Sequence, residues 1–210
     1  MLPDFGSLLL FLAAALVIAV TPGPGLFYVA ARTLSGGRRE GVASILGTAL
    51  GGMAHVIAGA AGVSALVMAS AEAFTLLKFA GALYLLWLGI STWRSAGTFA
   101  DALPAHQLGP RKALRDGIAV EALNPKTAAF FLAFLPQFVD PASEVAAQFV
   151  LLGLISVCLN SLGDLLVLYL AAALRDGAAA RPHLVRRIRK GSGAVLCALG
   201  MSLAMAQRSP

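Results

Sequence analysis

Charge is scarce in this chain: of its 210 residues 12% are Asp, Glu, Lys or Arg, against 59% apolar, and the mean hydropathy is +0.82. An ordinary soluble domain carries about a quarter charged residues, so a soluble globule is excluded. Cysteine is rarer still. Cys158 and Cys197 form no CxxC pair, which excludes a disulfide framework. A six-span carrier of electrons through thiols needs a cysteine in each of its broken helices, and neither has one. The thiols are expected to pack as small apolar residues. His55, His106 and His183 are scattered without clustered donors, so no metal and no cofactor is expected. There is no HExxH, no GxSxG and no paired acid motif on facing spans, which leaves no catalytic centre and speaks against an enzyme. The formal charge of +6 is not accompanied by an aromatic platform or a nucleic-acid motif, so nucleic acid is not the partner.

Long apolar runs are what the chain does have. Phe5 to Ala31 and Gly41 to Ala71 contain no Asp, Glu, Lys or Arg, and each exceeds the roughly 20 residues that cross a bilayer core. Phe74 to Trp93, Gly117 to Val139, Val145 to Leu174 and Gly191 to Gln207 follow, making six expected spans in an all-α integral membrane protein. The first is not read as a cleaved signal despite Ala13-Ala14-Ala15. Its leading segment carries Asp4 and no Lys or Arg, and its apolar run is too long.

Basic residues set the expected orientation, because short loops rich in them stay in the cytoplasm. Arg32, Arg38 and Arg39 follow the first span. Arg94, Arg111, Lys112 and Arg115 lie between the third and fourth, and Arg175, Arg181, Arg186, Arg187, Arg189 and Lys190 between the fifth and sixth. Thirteen of the sixteen basic residues therefore fall on one side, with both termini expected outside. The run Arg186 to Lys190 is also suited to anionic lipid head groups.

Proline breaks two of the spans at corresponding places: Thr21-Pro22-Gly23-Pro24-Gly25 in the first and Asn124-Pro125-Lys126 in the fourth. A proline in a helix deprives the carbonyl four residues back of its donor, here Ile18, Val20 and Glu121. Lipid cannot supply one, so such backbone is tolerated only inside protein or along a polar cavity. Interrupted helices at matching positions of two halves are a pointer to a transport site. The bland alternative is that the prolines merely kink helices for packing.

These residues, taken with several others, resemble the LysE/RhtB family of amino-acid exporters over nearly the whole chain. The resemblance rests on Thr21-Pro22-Gly23-Pro24, Gly47-x3-Gly51-x3-His55, Gly81-x2-Tyr84-Leu85-x2-Leu88-Gly89, and Asn124-Pro125-Lys126 with Phe130-Phe131-x3-Leu135-Pro136-Gln137-Phe138. Asp164 and Ser192-Gly193 complete it, and Lys78 matches a lysine frequent in the family. It implies a bacterial inner-membrane exporter of amino acids or close derivatives, driven by the proton gradient. The implied architecture is two inverted three-helix repeats, 1–94 and 117–210, joined by a cytoplasmic connector, 95–116. A channel, or an exporter of another small solute or cation on the same framework, is the alternative.

An odd number of spans per half makes the halves antiparallel, so the two breaks are expected to face each other. Freed amides there suit a carboxylate and freed carbonyls an ammonium group, which together match a zwitterionic amino acid. Thr21, Pro22, Gly23, Pro24, Asn124, Pro125 and Lys126 are the expected substrate-binding residues. For Thr21 the alternative is a hydroxyl bonded to its own helix, and for Lys126 a side chain that snorkels toward the inner surface. Asp164, deep in the fifth span, is the expected proton carrier or ammonium ligand, unless it sits in a static pair with Lys126. Glu121, three residues before Asn124 and hence on the same helix face, is a second proton-coupling candidate. It departs from the family pattern, where an uncharged residue is usual, and its alternative is contact with cytoplasmic water. Gly52 stands where some members carry an acid. His55 is a further candidate whose alternative is a packed, hydrogen-bonded side chain. Gly47, Gly51, Gly59 and Gly62 form small faces for close helix packing. The same faces allow a homodimer.

Overall fold

The computed structural model describes residues 5–69, 107–177 and isolated positions within 76–94 and 194–201. Every regular element among them is helical. Helix α1 (Phe5–Val20) stops at Thr21-Pro22-Gly23, and α2 (Pro24–Ala69) starts on the second proline of the motif. Proline is tolerated there because the first turn of a helix needs no donor.

Helix α2 is two arms folded at Gly37, whose φ of 75° and ψ of −171° suit glycine alone. In a straight helix residues eight apart are separated by about 12 Å. Here Arg32 Nη1 and Glu40 Oε2 are 3.5 Å apart, and a side-chain atom added to Gly41 would land on the hydroxyl of Thr33. The arms therefore run back to back. The first completes the opening apolar stretch with α1, and the second forms the next.

Arg32, expected in a basic loop, is instead helical and buried, and the turn exposes Arg38 and Arg39. Burial is tolerable because Glu40 balances its charge. Glu40 in turn accepts hydrogen bonds from the amides of Leu108 and Gly109, 2.8 and 2.7 Å long.

Those amides lead into α3 (Pro110–Ala122), so the last residues of the 95–116 stretch are helical. After Leu123-Asn124 the chain resumes as α4 (Pro125–Ala129), bent 41° from α3. It widens into a π turn, Phe130–Phe134, where the Leu135 amide reaches back five residues to Phe130, and tightens into a 3-10 turn, Leu135–Phe138. Pro136, with no N–H, cannot continue the α ladder. Helix α5 (Val145–Gly177) closes the described core. Val145–Ala173 is long and apolar enough to cross a bilayer, Pro24–Gly62 is so by length and composition although Gly37 divides it into two arms, and Pro110–Ala122 with Pro125–Phe138 passes as one bent span.

Two apolar clusters hold these helices together. The larger joins Phe11, Ala15 and Ile18 of α1 with Val56, Phe130, Phe131, Phe134, Leu135, Phe149 and Leu152. The smaller is Val29, Ile45 and Leu168. Between α2 and α3 the contact is backbone on backbone. A Cβ on Gly51 would lie 2.6 Å from the Ile118 carbonyl oxygen, and the Cα atoms of Gly47 and Gly117 meet the same way. Small residues in membrane helices allow such approach. Gly59 admits the Phe149 ring, whereas a Cβ on Gly62 would meet none of the described residues within 4 Å.

Most of the third and sixth segments, with Lys78, Tyr84, His106, His183 and Ser192-Gly193, lie outside the described residues. Trp87 and Trp93 are exposed. The Cys197 thiol approaches the Leu86 carbonyl at 3.7 Å, which joins those segments at one point. Cys158 is exposed rather than packed, since its side of α5 faces away from the other described helices.

Replacing Gly51 by leucine should destabilise the protein by about 1–3 kcal/mol through overpacking against α3, while Gly62→Leu is neutral. Thermal unfolding in detergent would check this, and equal melting of the two variants would contradict the packing described.

Candidate functional site

The two breaks meet. Asn124 caps α4, its Oδ1 accepting from the Lys126 amide at 3.0 Å, because the first-turn amides of a helix have no partner within it. Its Nδ2 donates to Glu121 Oε2 at 2.8 Å, across the bend. Thr127 Oγ1 donates to Glu121 Oε1 at 2.6 Å. Glu121 is thereby folded over the α3–α4 break and held by a donor on each oxygen. Gly25, opening α2, has no side chain because a Cβ there would collide with that carboxylate.

The carbonyls of Ile18 and Glu121, left by Pro22 and Pro125, have found other donors. The carbonyl of Glu121 accepts from the Asn124 amide at 3.0 Å and from His55 Nε2 at 2.9 Å. A carbonyl can only accept, so Nε2 of His55 carries the proton. The His55 ring also stacks on Phe131, centroids 5.7 Å apart. Ile18 O accepts from Lys126 Nζ at 3.0 Å, and Thr21 O from the same nitrogen at 2.8 Å. Lys126 thus bonds the end of α1 from beyond the other break.

Asp164, on α5, accepts from Thr48 Oγ1 of the second α2 arm at 2.8 Å. Among the described residues it has no ion pair, so the static bridge to Lys126 is not formed. Asn124, Lys126, Asp164 and Glu121 are 2%, 5%, 6% and 7% exposed. An ionised carboxylate within a membrane helix costs about 2.5–3.5 kcal/mol on insertion scales, and two buried acids share this site.

One cleft gathers these groups. Gly25, Leu26, Thr48, Ala49 and Gly52 line it from α2, and Glu121, Asn124, Lys126, Thr127 and Phe131 from the bent helix. Val157, Asn160, Ser161 and Asp164 close it from α5. Its free space is about 20 Å³, room for roughly one water molecule. A solute can enter only if the helices part.

Of the residues expected from sequence, Asn124, Lys126, Glu121 and Asp164 line this cleft together. Thr21, Pro22, Gly23 and Pro24 shape the break without lining it. The Thr21 hydroxyl bonds back to Val17 O at 2.6 Å, the structural alternative considered for it. His55 stands behind Glu121 and does not line the cleft. Sequence reading missed Thr48, Thr127, Asn160 and Ser161. The signal was there: Thr48 is seven residues before His55 on the same helix face, and Asn160 and Ser161 are four and three before Asp164.

Comparison with known proteins adds the family context. The model of the LysE type translocator family matches residues 16–207. An uncharacterized membrane protein of Vibrio cholerae is 34% identical over 97% of this chain and 99% of its own length. A homoserine/homoserine lactone efflux protein of Salmonella typhimurium is 31% identical over 95% of this chain and 96% of its own. A leucine efflux protein of Klebsiella pneumoniae is 30% identical over 77% and 80% respectively. No solved structure matches.

Asn124→Ala removes a helix cap and a donor to a buried carboxylate, and should lower stability by about 1–3 kcal/mol. Unfolding in detergent measures this. An unchanged midpoint would show that Glu121 is not held as described.

Proposed function

The chain belongs to the LysE type translocator family, and on that premise we propose that it exports amino acids or close derivatives across the bacterial inner membrane. Two of the relatives above carry the names of efflux proteins, and it is a multi-pass membrane protein rather than an enzyme in this reading. The fold is two inverted three-span repeats, each opening with a broken helix. Support comes from the α1–α2 and α3–α4 breaks lying against each other and from the hairpin after the first. Both termini face outward and the basic loops inward.

The observation that carries the proposal is the unequal treatment of two buried acids in one cleft. Glu121 has a hydrogen-bond donor on each oxygen, whereas among the described residues Asp164 has Thr48 alone. A buried carboxylate short of partners gains by taking up a cation or a proton. In the resting, contracted cleft Asp164 is the group that exchanges one for the other. A cation that reaches the cleft on substrate binding and a proton compete for it, which links outward movement of the amine to inward movement of the proton. Glu121 shapes the cleft and supplies the second negative charge.

The closed cleft fits alternating access, in which a site at the repeat interface opens to one side at a time. Side chains of the size of leucine or homoserine require the helices to separate around Leu26, Ala49 and Val157, the apolar part of the lining.

In inside-out vesicles an imposed proton gradient should drive saturable uptake of the exported amino acid, and Asp164→Asn should abolish that drive while the protein remains in the membrane. Gradient-independent, non-saturable flux would point to a channel. Survival of the gradient dependence in Asp164→Asn would remove the coupling role of Asp164.

A further inference from the structure

Lys126 lines the cleft, yet its terminal nitrogen is bonded to the end of another helix. It donates to Ile18 O and Thr21 O, 3.0 and 2.8 Å away at the far end of α1, bridging more than a hundred residues of sequence. A Cβ on Gly23 would lie 3.1 Å from Lys126 Cε and 3.2 Å from Cδ, so the bare glycine of the break gives the stem its passage. Two carboxylates share the cleft, but no ion pair within 4 Å joins either to Lys126. An ammonium group offered carboxylates would ordinarily pair with them. This one sits on neutral carbonyls instead. The carbonyl end of a helix carries partial negative charge and attracts a cation, and Pro22 has left the Ile18 oxygen without its α-helical donor, so that of the backbone only the Thr21 amide reaches it, at 3.2 Å.

We propose that the carbonyl end of α1 is a primary-ammonium site and that Lys126 is its tethered place-holder, filling it in the empty carrier and yielding it to the ammonium group of the substrate. The inference rests on the exporter reading and assigns Lys126 a role opposite to that of a carboxylate receiver. Displaced, the Lys126 nitrogen swings toward the cleft, where Glu121 and Asp164 await a cation. Its return restores two hydrogen bonds and expels the bound amine. Neither end state leaves the α1 carbonyls bare, a requirement in a medium that cannot hydrate them. Lys126 is in this sense a positioning residue, and the ligand class is a primary amine in its ammonium form.

The test uses purified protein and its Lys126→Ala variant, with methylammonium as the probe. The variant should bind methylammonium, seen as a rise in melting temperature that the wild type does not show. In proteoliposomes it should have a KM for the exported amino acid lowered by about tenfold, since a competitor that fills the site nine-tenths of the time weakens apparent affinity by that factor. Its kcat should fall. A raised KM with kcat preserved, or no response to methylammonium, would overturn the proposal by making Lys126 a carboxylate ligand. If Lys126→Ala fails to fold, the wild type decides. Saturating substrate should speed modification of Lys126 by a membrane-permeant amine reagent several-fold, read by peptide mass, and unchanged or slower modification would overturn the proposal. Absence of any amino-acid transport by the wild type would instead sink the exporter reading, and methylammonium binding by the variant would still judge the ammonium site.

Discussion

A helix interrupted inside a bilayer leaves carbonyl oxygens that the surroundings cannot satisfy, and the rest of this structure follows from how they are satisfied. Ile18 and Thr21 are bonded by Lys126, and Glu121 by His55 and the Asn124 amide. Each break is therefore closed by groups from another part of the chain. That ties α1 to the α3–α4 bend alongside the apolar contacts. It also forces polar and ionisable side chains to one depth, where they become available for chemistry.

Packing then fixes where those side chains point. Gly47 and Gly51 let α2 lie directly on the backbone of α3, which brings Glu121 against Gly25 and Thr48 close to Asp164. The Phe11, Phe130 and Phe149 cluster seals one side of the cleft, and Val29, Ile45 and Leu168 lie on the other. Between two apolar layers a cavity of about 20 Å³ holds four groups that each prefer water. Groups of this kind gain solvation if the cavity opens, which suits the alternating access proposed above.

Much of this was legible in the sequence, for a physical reason: prolines and acids in apolar runs violate the rules of a membrane helix, and violations stand out. Pro22, Pro125, Glu121, Asn124, Lys126 and Asp164 were all marked that way, and the family resemblance built on the same motifs is confirmed by the match to residues 16–207. Thr48, Thr127, Asn160 and Ser161 were not, because hydroxyls and amides are ordinary in such helices and gain meaning only from the face they share with an acid. The fold at Gly37 was hidden by its neighbours. Arg32 and Glu40 look like loop charges until the tight turn brings them to 3.5 Å. The direction taken by Lys126 was equally invisible, since nothing in a sequence distinguishes a lysine that awaits a carboxylate from one already bonded to carbonyls.

In the reading proposed above, the cleft between the breaks is a solute site that water and substrate reach in turn. The most direct measurement places a single thiol at Thr48 in a protein with Cys158 and Cys197 replaced by alanine, and follows its reaction with small water-soluble thiol reagents in sealed vesicles. The claim requires that the thiol react from the aqueous phase and that the exported amino acid slow this reaction in proportion to its occupancy. A thiol at Thr48 that only lipid-soluble reagents reach, or one indifferent to substrate, would contradict it.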